Sequence, residues 1–350
     1  MHIAGIAFAA PSLVVTNQHI LDQITQHSEG LYDGKMARLL QTVGLFLQHI
    51  GSKERRWLAP GERAFDVTRR AVDEALAQAG MHKQDIDLLI FASVDRRVLE
   101  PATSNLLAKA LGMPDVQCFD VVEACSSWIR ATQVAQSFLA AGLYRHILIV
   151  TAEYPHHGLP TDIEKFQVRH ANDLEWAFPY YTVGEGATAT VLTHGENPAW
   201  TYNNRTRSDL ADLCMFPLYE EDAQTSFLGE VSMVGRGPNR FMSFGRDIQV
   251  ESIGVILDLM RTNPIPPDEV DLFIPHTQNV SWWQHIEKKI GLETAVPYFF
   301  LMPEYGNLVS NSIPAGIALA AGQERIRRGD RVAGLMTAAG MSFTLLNLTY

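Results

Sequence analysis

An internal repeat is the feature that most constrains the fold of this chain. The segments "DIDLLIFAS" from Asp85 and "EVDLFIPHT" from Glu269 share an acid, an apolar residue, an aspartate and an apolar run typical of a buried strand. They lie 184 residues apart, and each follows a helical pattern and a short loop. A second pair, "LAAGLYRHILIVTA" and "IRRGDRVAGLMTA", places Gly142 187 residues before Gly329. In a chain of 350 residues, such a repeat predicts two halves of similar plan.

A third and weaker pair consists of the apolar segments that begin at His2 and Ala187, 185 residues apart. Strand and helix patterns alternate along the chain, which is typical of an α/β protein whose buried sheets are covered by helices. We therefore expect two domains, residues 1–183 and 184–350, packed as one unit. Two segments fit neither half, residues 155–181 and 203–240. We expect the first to shape a substrate tunnel or its entrance.

Composition and charge exclude several classes of protein. A hydrophobic content of 47% with a net charge of −11 favours a globular chain and argues against a nucleic-acid partner. The apolar runs are shorter than the roughly 18 residues that a membrane span needs, and the apolar N-terminus lacks the basic region of a signal peptide. The three cysteines have neither disulfide-framework nor metal-site spacing, so we expect a cytoplasmic protein without a metal.

Cys125 is the candidate nucleophile. It follows the strand pattern "FDVV" and precedes "SSWIRATQVAQSFLAAG", which has helical spacing. A helix N-terminus lowers the pKa of a thiol, so this position favours a reactive thiolate. The alternative is a small buried side chain, and we assign that structural role to Cys118 and Cys214. The same structural interpretation applies to His156, His157 and His170.

Three further positions are candidates for the same site. His276 ends the repeated strand of the second half, at the carboxyl end where α/β sheets place their sites. Asn307 lies in a Gly-Asn turn before an apolar helix, where it is either a turn residue or a donor to a pocket. In "TAAGMSF", a backbone N–H beside the site could join that of Cys125 in an oxyanion hole, or the segment is a plain turn of small residues.

Together these residues resemble the thiolase-like condensing enzymes, and most closely the ketoacyl synthase III family. "IGSKERRW" resembles the Gly-x-x-x-Arg-Arg stretch of that family, and "GEGATATVL" resembles its strand entry, with Glu185 where aspartate is usual. Cys125 in "EACSSW", His276 in "IPHTQN" and Asn307 in "YGNLVSNSIP" match its triad in order. The resemblance covers nearly the whole chain and implies a five-layer αβαβα fold and a homodimer.

The resemblance also implies a mechanism without any cofactor. Cys125 would take an acyl group from a CoA or carrier-protein thioester, the carrier's thiol being phosphopantetheine. His276 and Asn307 would stabilise the enolate that forms when a malonyl-type thioester loses CO₂. The enolate would attack the acyl-cysteine, whose oxyanion would contact the N–H groups of Cys125 and Ala339. The expected role is in fatty acid, specialised lipid or polyketide biosynthesis.

Three departures from the family pattern leave alternatives open. The family's C-terminal Gly-Gly-Gly is Ala338-Ala339-Gly340 here. Ser281 stands where a basic residue often docks carrier protein, two positions after Asn279, which is a candidate accessory residue. Glu100 resembles the base of relatives that condense two acyl-CoA molecules without decarboxylation; otherwise it is a surface charge.

Two other functions compete with decarboxylative condensation. An acyltransferase on the same scaffold would pass the acyl group from the cysteine to a hydroxyl or an amine. It would share the cysteine and the histidine, whereas Asn307 favours condensation because an enolate needs a second donor. A catalytically silent subunit of a heterodimer is the third reading, and the intact triad argues against it.

Overall fold

The structure is a computed structural model of the whole chain. It describes all residues except 97, 158–162, 196–198, 218–241, 244, 265–268, 277–278 and 291–295. Within the described part, every helix is too short or too polar to cross a bilayer.

The described residues form strands and helices that alternate along the chain, as the sequence predicts. The strands are β1 (His2–Ala9), β2 (Leu13–Thr16), β3 (Glu54–Trp57), β4 (Leu88–Phe91), β5 (Gln117–Asp120), β6 (His146–Glu153), β7 (Gly186–Thr193), β8 (Thr201–Thr206), β9 (Cys214–Met215), β10 (Met242–Ser243), β11 (Leu272–Pro275), β12 (Arg331–Ala338) and β13 (Ser342–Thr349). The helices are α1 (Asn17–Ser28), α2 (Met36–His49), α3 (Ala64–Ala79), α4 (Thr103–Leu111), α5 (Ser127–Ala140), α6 (Leu174–Thr182), α7 (Gly245–Thr262), α8 (Val280–Ile290), α9 (Met302–Tyr305) and α10 (Ser312–Gly322).

Two mixed sheets repeat one topology. The first has the spatial order β1-β7-β6-β4-β5, and the second has the order β8-β13-β12-β11. In the first sheet, β1, β7 and β6 pair antiparallel and β6, β4 and β5 pair parallel. In the second sheet, β8, β13 and β12 pair antiparallel, and β12 and β11 pair parallel. The two orders match strand for strand over four strands, so the predicted repeat is confirmed.

The matching strands show which repeat pairs are right. β4 corresponds to β11 and β6 corresponds to β12, as the two stronger sequence pairs indicate. The third pair is wrong, because β1 and β7 pair with each other in one sheet and correspond to β8 and β13. The predicted boundary at residue 184 therefore precedes a strand of the first sheet. An apolar pattern identifies a buried strand but does not specify which neighbour completes its hydrogen bonds.

Five layers follow from the alternation of side chains along the strands. In β4, Leu88 and Ile90 face a central core, whereas Leu89 and Phe91 face an outer core formed with α3 and α4. The central core contains α5 and α10 between the two sheets, and a third core joins the second sheet to α7 and α8. The α10 sequence "SIPAGIALAAG" has no charged residue, as a helix buried between two sheets requires. The predicted αβαβα fold is confirmed.

Candidate active site

Cys125 lies in the tight connection between β5 and α5. β5 ends at Asp120, and α5 begins at Ser127 with Ser126 as its N-cap residue. Ala124, immediately before the cysteine, has a φ of 46°, in the left-handed region that side-chain-bearing residues rarely adopt. The turn places Cys125 at the N-terminal end of a 14-residue helix, which confirms the placement that the sequence predicts.

The surroundings of the Cys125 thiol raise its pKa. Desolvation is the largest cause, and repulsion from the ionised forms of Cys214 and Glu153 adds to it. The backbone N–H at the helix start lowers this pKa, as the sequence predicts, but desolvation outweighs its contribution, so the net shift is upward. Cys125 rests as a thiol at neutral pH, and its proton has to leave during acyl transfer.

Alkylation of Cys125 by iodoacetamide should become faster with rising pH from pH 7 to pH 9. A raised pKa keeps the thiolate a small fraction throughout this range, so the rate should grow about tenfold for each pH unit. Peptide mapping by mass spectrometry separates Cys125 from Cys118 and Cys214. A rate that levels off below about pH 8 would show an activated thiolate and contradict the burial argument.

Glu153 and Cys214 are site residues that the sequence analysis missed. Glu153 is the last residue of β6, and its carboxyl group accepts hydrogen bonds from the backbone N–H of Val94 and Asp95 and from the hydroxyl of Ser310. Desolvation raises its pKa to about 8. Burial likewise raises the pKa of Cys214 to about 11. A carboxylate at the carboxyl end of a buried strand was a usable signal for Glu153, whereas the local sequence of Cys214 carries none.

His276 follows β11 directly, at the carboxyl end of the strand as predicted. Its backbone N–H donates to the carbonyl oxygen of Leu335 on β12 over 2.7 Å. The side chain is 6% exposed, and desolvation lowers its pKa to about 4. The imidazole is therefore neutral at physiological pH. Its Nδ1 lies 2.8 Å from the hydroxyl oxygen of Ser312.

The backbone around Asn307 fixes the direction of its side chain. Its N–H donates to the carbonyl of Thr182 over 2.8 Å, and its carbonyl accepts from Gly184 over 3.0 Å. Gly306 has a φ of 69°, and a Cβ there would lie 2.4 Å from the Thr182 oxygen. The side-chain Oδ1 of Asn307 accepts from the N–H of Val309 over 2.9 Å. This bond fixes the orientation of the amide group. Its NH₂ is the group that can donate to a substrate.

The loop of residues 307–312 joins the parts of the site. Ser310 donates to Glu153 at the end of β6, and Ser312 contacts the ring of His276 at the end of β11. The 3-10 turn Val309–Asn311 packs against α5, the helix that follows the nucleophile. The loop of residues 307–312 thus contacts the end of β6, the end of β11 and the helix that follows Cys125. That the three triad residues face one pocket stays a prediction.

The other predicted site residues have different surroundings. Ala339 is half-buried and directly follows β12, the neighbour of the strand that carries His276. Asn279 caps α8, because its Oδ1 accepts from the N–H of Trp282 over 3.0 Å. Glu100 is exposed in the connection between β4 and α4. The oxyanion and accessory roles of these residues stay predictions.

The histidines of residues 155–181 bond to other protein groups. Across the described residues, no cluster of three or more His, Cys, Asp and Glu side chains is arranged to hold a metal ion. Each of the three has a side-chain partner: His156 contacts Lys165, His157 contacts Glu185 and His170 contacts Asp33. These contacts agree with a structural role, which stays a prediction. Whether this segment shapes a tunnel stays a prediction, and residues 158–162 lie outside the described part.

The comparisons with known proteins agree on one family, and its models match the segments that contain Cys125, His276 and Asn307. The family model of 3-oxoacyl-(acyl-carrier-protein) synthase III matches residues 119–168, and the model of its C-terminal part matches residues 260–350. The beta-ketoacyl-(acyl-carrier-protein) synthase III of Symbiobacterium thermophilum is 28% identical over 352 residues, covering 99% of this chain and 97% of its own. That of Aquifex aeolicus is 28% identical over 299 residues, covering 84% and 85%. The chain belongs to the ketoacyl synthase III type of thiolase-like condensing enzymes.

Solved structures show the same fold. OleA of Xanthomonas campestris, solved with bound lauric acid and lauroyl-CoA, is 21% identical with a TM-score of 0.80, covering 99% of this chain and 98% of its own. FabH of Xanthomonas oryzae is 22% identical with a TM-score of 0.80 and the same coverage. These structures show the fold alone. The matches to the synthase III family models and to the synthase III relatives identify the chain as an acyltransferase, and they confirm the resemblance drawn from its sequence.

Proposed function

We propose that this ketoacyl synthase III-type enzyme loads an acyl group on Cys125 and condenses it with a malonyl-type thioester. The observation that carries the proposal is the loop of residues 307–312, which orients the amide donor of Asn307 and contacts the ring of His276 beside α5. The donor is an acyl-CoA or an acyl carrier protein, the two thioesters that the family implies. The product class is a 3-oxoacyl thioester of fatty acid or polyketide biosynthesis.

Loading is a thioester exchange. The sulfur of Cys125 attacks the thioester carbonyl carbon, and the tetrahedral oxyanion is held by the N–H groups of Cys125 and Ala339. The bond from that carbon to the CoA or pantetheine sulfur then breaks. The thiol proton of Cys125 passes to the leaving sulfur, so the acyl-enzyme forms without net charge change.

Condensation uses neutral donors. The malonyl-type thioester loses CO₂, and the electron pair of the broken carbon–carbon bond forms an enolate. Its oxygen accepts hydrogen bonds from His276 and the amide of Asn307. The enolate carbon attacks the acyl-cysteine carbonyl, the carbon–sulfur bond breaks, and Cys125 leaves as the thiolate and takes a proton from solvent water. Since burial keeps the imidazole of His276 uncharged, it can supply a hydrogen-bond donor without itself requiring a counter-charge.

Intact-protein mass spectrometry with a panel of acyl-CoAs and acyl carrier proteins tests this function. One acyl group should appear on Cys125, and it should disappear as a malonyl thioester is added and CO₂ is released. Release of product from acyl-CoA alone, dependent on Glu100, would favour non-decarboxylative condensation instead. Transfer to a hydroxyl or an amine with no need for Asn307 would favour the acyltransferase reading.

We expect a homodimer in which β5 pairs with its copy. In the described sheet β5 is the terminal strand, bonded to β4 on one side. Val122, two residues after β5, is 49% exposed, and Leu99, in the connection between β4 and α4, is 76% exposed. Unpaired strand edges flanked by apolar groups associate readily, and a stable interface buries a large apolar area.

Light scattering at micromolar concentration should give twice the chain mass of 39.0 kDa. Val122→Glu should shift the protein toward the monomer, because a carboxylate would be buried unpaired at the interface. Val250→Glu, at a residue of α7 with 62% exposure, is the matched control and should leave the mass unchanged. A monomer mass for the parent protein would rule the dimer out.

A further inference from the structure

The hydroxyl of Ser127 bonds to the backbone of the turn that precedes Cys125. Ser127 is the first residue of α5 and is fully buried. Its Oγ donates its hydrogen to the carbonyl oxygen of Ala124 over 2.7 Å and accepts from the backbone N–H of Glu123 over 2.9 Å. A hydroxyl can do both, because it has one hydrogen and two lone pairs. Ser127 therefore binds the chain before and after the α-carbon of Ala124, the residue with a φ of 46°.

The carbonyl of Ala124 and the backbone N–H of Cys125 belong to the same peptide group. This group is trans and planar, so its C=O and N–H point in opposite directions. Because Ser127 holds the carbonyl, the N–H of Cys125 is directed away from Ser127. That N–H is one of the two donors assigned to the oxyanion of the loading step. The hydrogen bond from Ser127 also polarises the peptide group, which makes its N–H a stronger donor.

The left-handed conformation of Ala124 requires support from its neighbours. An alanine with a positive φ places its Cβ too close to the backbone, so a free turn would relax to a negative φ and rotate the next peptide group. Glu123 is held by Ser126, whose N–H donates to its carbonyl over 2.9 Å, and by Arg130, whose Nε and Nη2 donate to its two carboxylate oxygens. The hydroxyl of Ser127 fixes the carbonyl on the other side of the strained α-carbon.

We propose that Ser127 is a positioning residue, which holds the carbonyl of Ala124 and thereby aims the N–H of Cys125 at the oxyanion of the loading step. This inference rests on the proposed function, because acyl loading is the step that forms this oxyanion. Ser127 acts through the backbone, since both hydrogen bonds of its hydroxyl go to backbone groups. Decarboxylation does not need Ser127, because its donors are His276 and Asn307.

Loading kinetics test the role of the hydroxyl. Ser127→Ala should lower the maximal rate of loading from the acyl-CoA that the parent loads fastest by about 10- to 100-fold, the scale of a small misplacement of a catalytic group. The acyl-CoA concentration that gives half of this rate should stay within about threefold, because the N–H stabilises the transition state. CO₂ release from a malonyl thioester should stay near the parent rate. Intact-protein mass spectrometry of acid-stopped samples measures loading.

Alkylation of Cys125 by iodoacetamide separates a misdirected N–H from a displaced thiol. The sulfur attacks the CH₂ carbon, iodide leaves, and the thiol proton passes to the buffer. No oxyanion forms in this reaction, so it does not need the N–H of Cys125. Peptide mapping should therefore show that Ser127→Ala is alkylated at Cys125 at nearly the parent rate. A general distortion of the turn would slow alkylation and loading together.

Two further variants complete the test. Ser126→Ala is the matched control, because Ser126 is 2% exposed and its hydroxyl has no hydrogen-bond partner among the described residues. This variant should load at the parent rate. Ala124→Gly, added to Ser127→Ala, should recover most of the lost loading rate. Glycine adopts a positive φ about as readily as a negative one, so the turn depends less on the hydroxyl.

Each outcome supports or overturns the inference. Parent-like loading by Ser127→Ala, equal slowing of loading and alkylation, or a double variant as slow as Ser127→Ala overturns it. If Ser127→Ala does not fold, Ser127→Thr decides, because it retains a hydroxyl: loading at the parent rate supports the inference, and slowed loading overturns it. A parent protein that accepts no acyl group contradicts the proposed function and this inference together. A parent that loads normally beside an unimpaired Ser127→Ala overturns this inference alone.

Discussion

Replacing Cys125 with alanine is expected to abolish acyl loading and to lower product formation by roughly 10⁶-fold, the scale found when the nucleophilic serine of a protease is removed. The covalent acyl-enzyme requires a sulfur at the N-terminal end of α5, and no other side chain can replace it. Loading is measured by intact-protein mass spectrometry, and product is measured by chromatography. Slow CO₂ release from a malonyl thioester should remain in this variant, because His276 and Asn307 are unchanged.

Cys118→Ala is the matched control for the nucleophile. Cys118 lies in β5 and packs against the outer core, and the variant should load at the parent rate. Acylation of Cys118 or Cys214 in the parent protein, or normal product formation by Cys125→Ala, would show that the nucleophile is assigned wrongly.

Asn307→Ala is expected to separate the two half-reactions in the opposite sense. Loading uses the thiol and backbone N–H groups, so it should proceed at a near-normal rate. Decarboxylation loses one of its two donors, which costs on the order of 100- to 1000-fold, or roughly 3–4 kcal/mol, at the step that it serves. Mass spectrometry reports loading, and release of labelled CO₂ from a malonyl thioester reports decarboxylation.

Asn307→Asp is a sharper version of the same test. An aspartate has nearly the same shape and can still accept from the N–H of Val309, the bond that orients the parent side chain. It lacks the NH₂ donor, so it should be about as slow in decarboxylation as the alanine variant. If either variant formed product at the parent rate, condensation would lose its support and the acyltransferase reading would be preferred.

The repeat made the fold predictable from the sequence. Two strand patterns at a nearly constant spacing identified β4 with β11 and β6 with β12, and both pairs occupy equivalent places in the two sheets. The same pattern failed for β1 and β7, which pair with each other. Periodicity reports which faces of a strand are buried, whereas pairing depends on backbone hydrogen bonds to residues far away in the chain.

The positions of the triad were also predictable, because each of its residues follows a strand or turn with a local signal. Cys125 lies just before a helix, His276 directly follows a buried strand, and Asn307 follows a glycine that has to adopt a left-handed conformation. Short-range sterics and hydrogen bonding determine such features, so the amino-acid sequence alone determines them.

Only the tertiary structure decided the electrostatics of the site. The sequence indicated a thiol activated by a helix, but burial beside Glu153 and Cys214 raises its pKa instead. The neutral state of His276 and its contact with Ser312 likewise arise where segments 36 residues apart meet. Desolvation depends on everything that surrounds a group, from every part of the chain. For that reason the sequence alone determined where the reactive groups lie along the chain, and the packing of the two halves determined their protonation states.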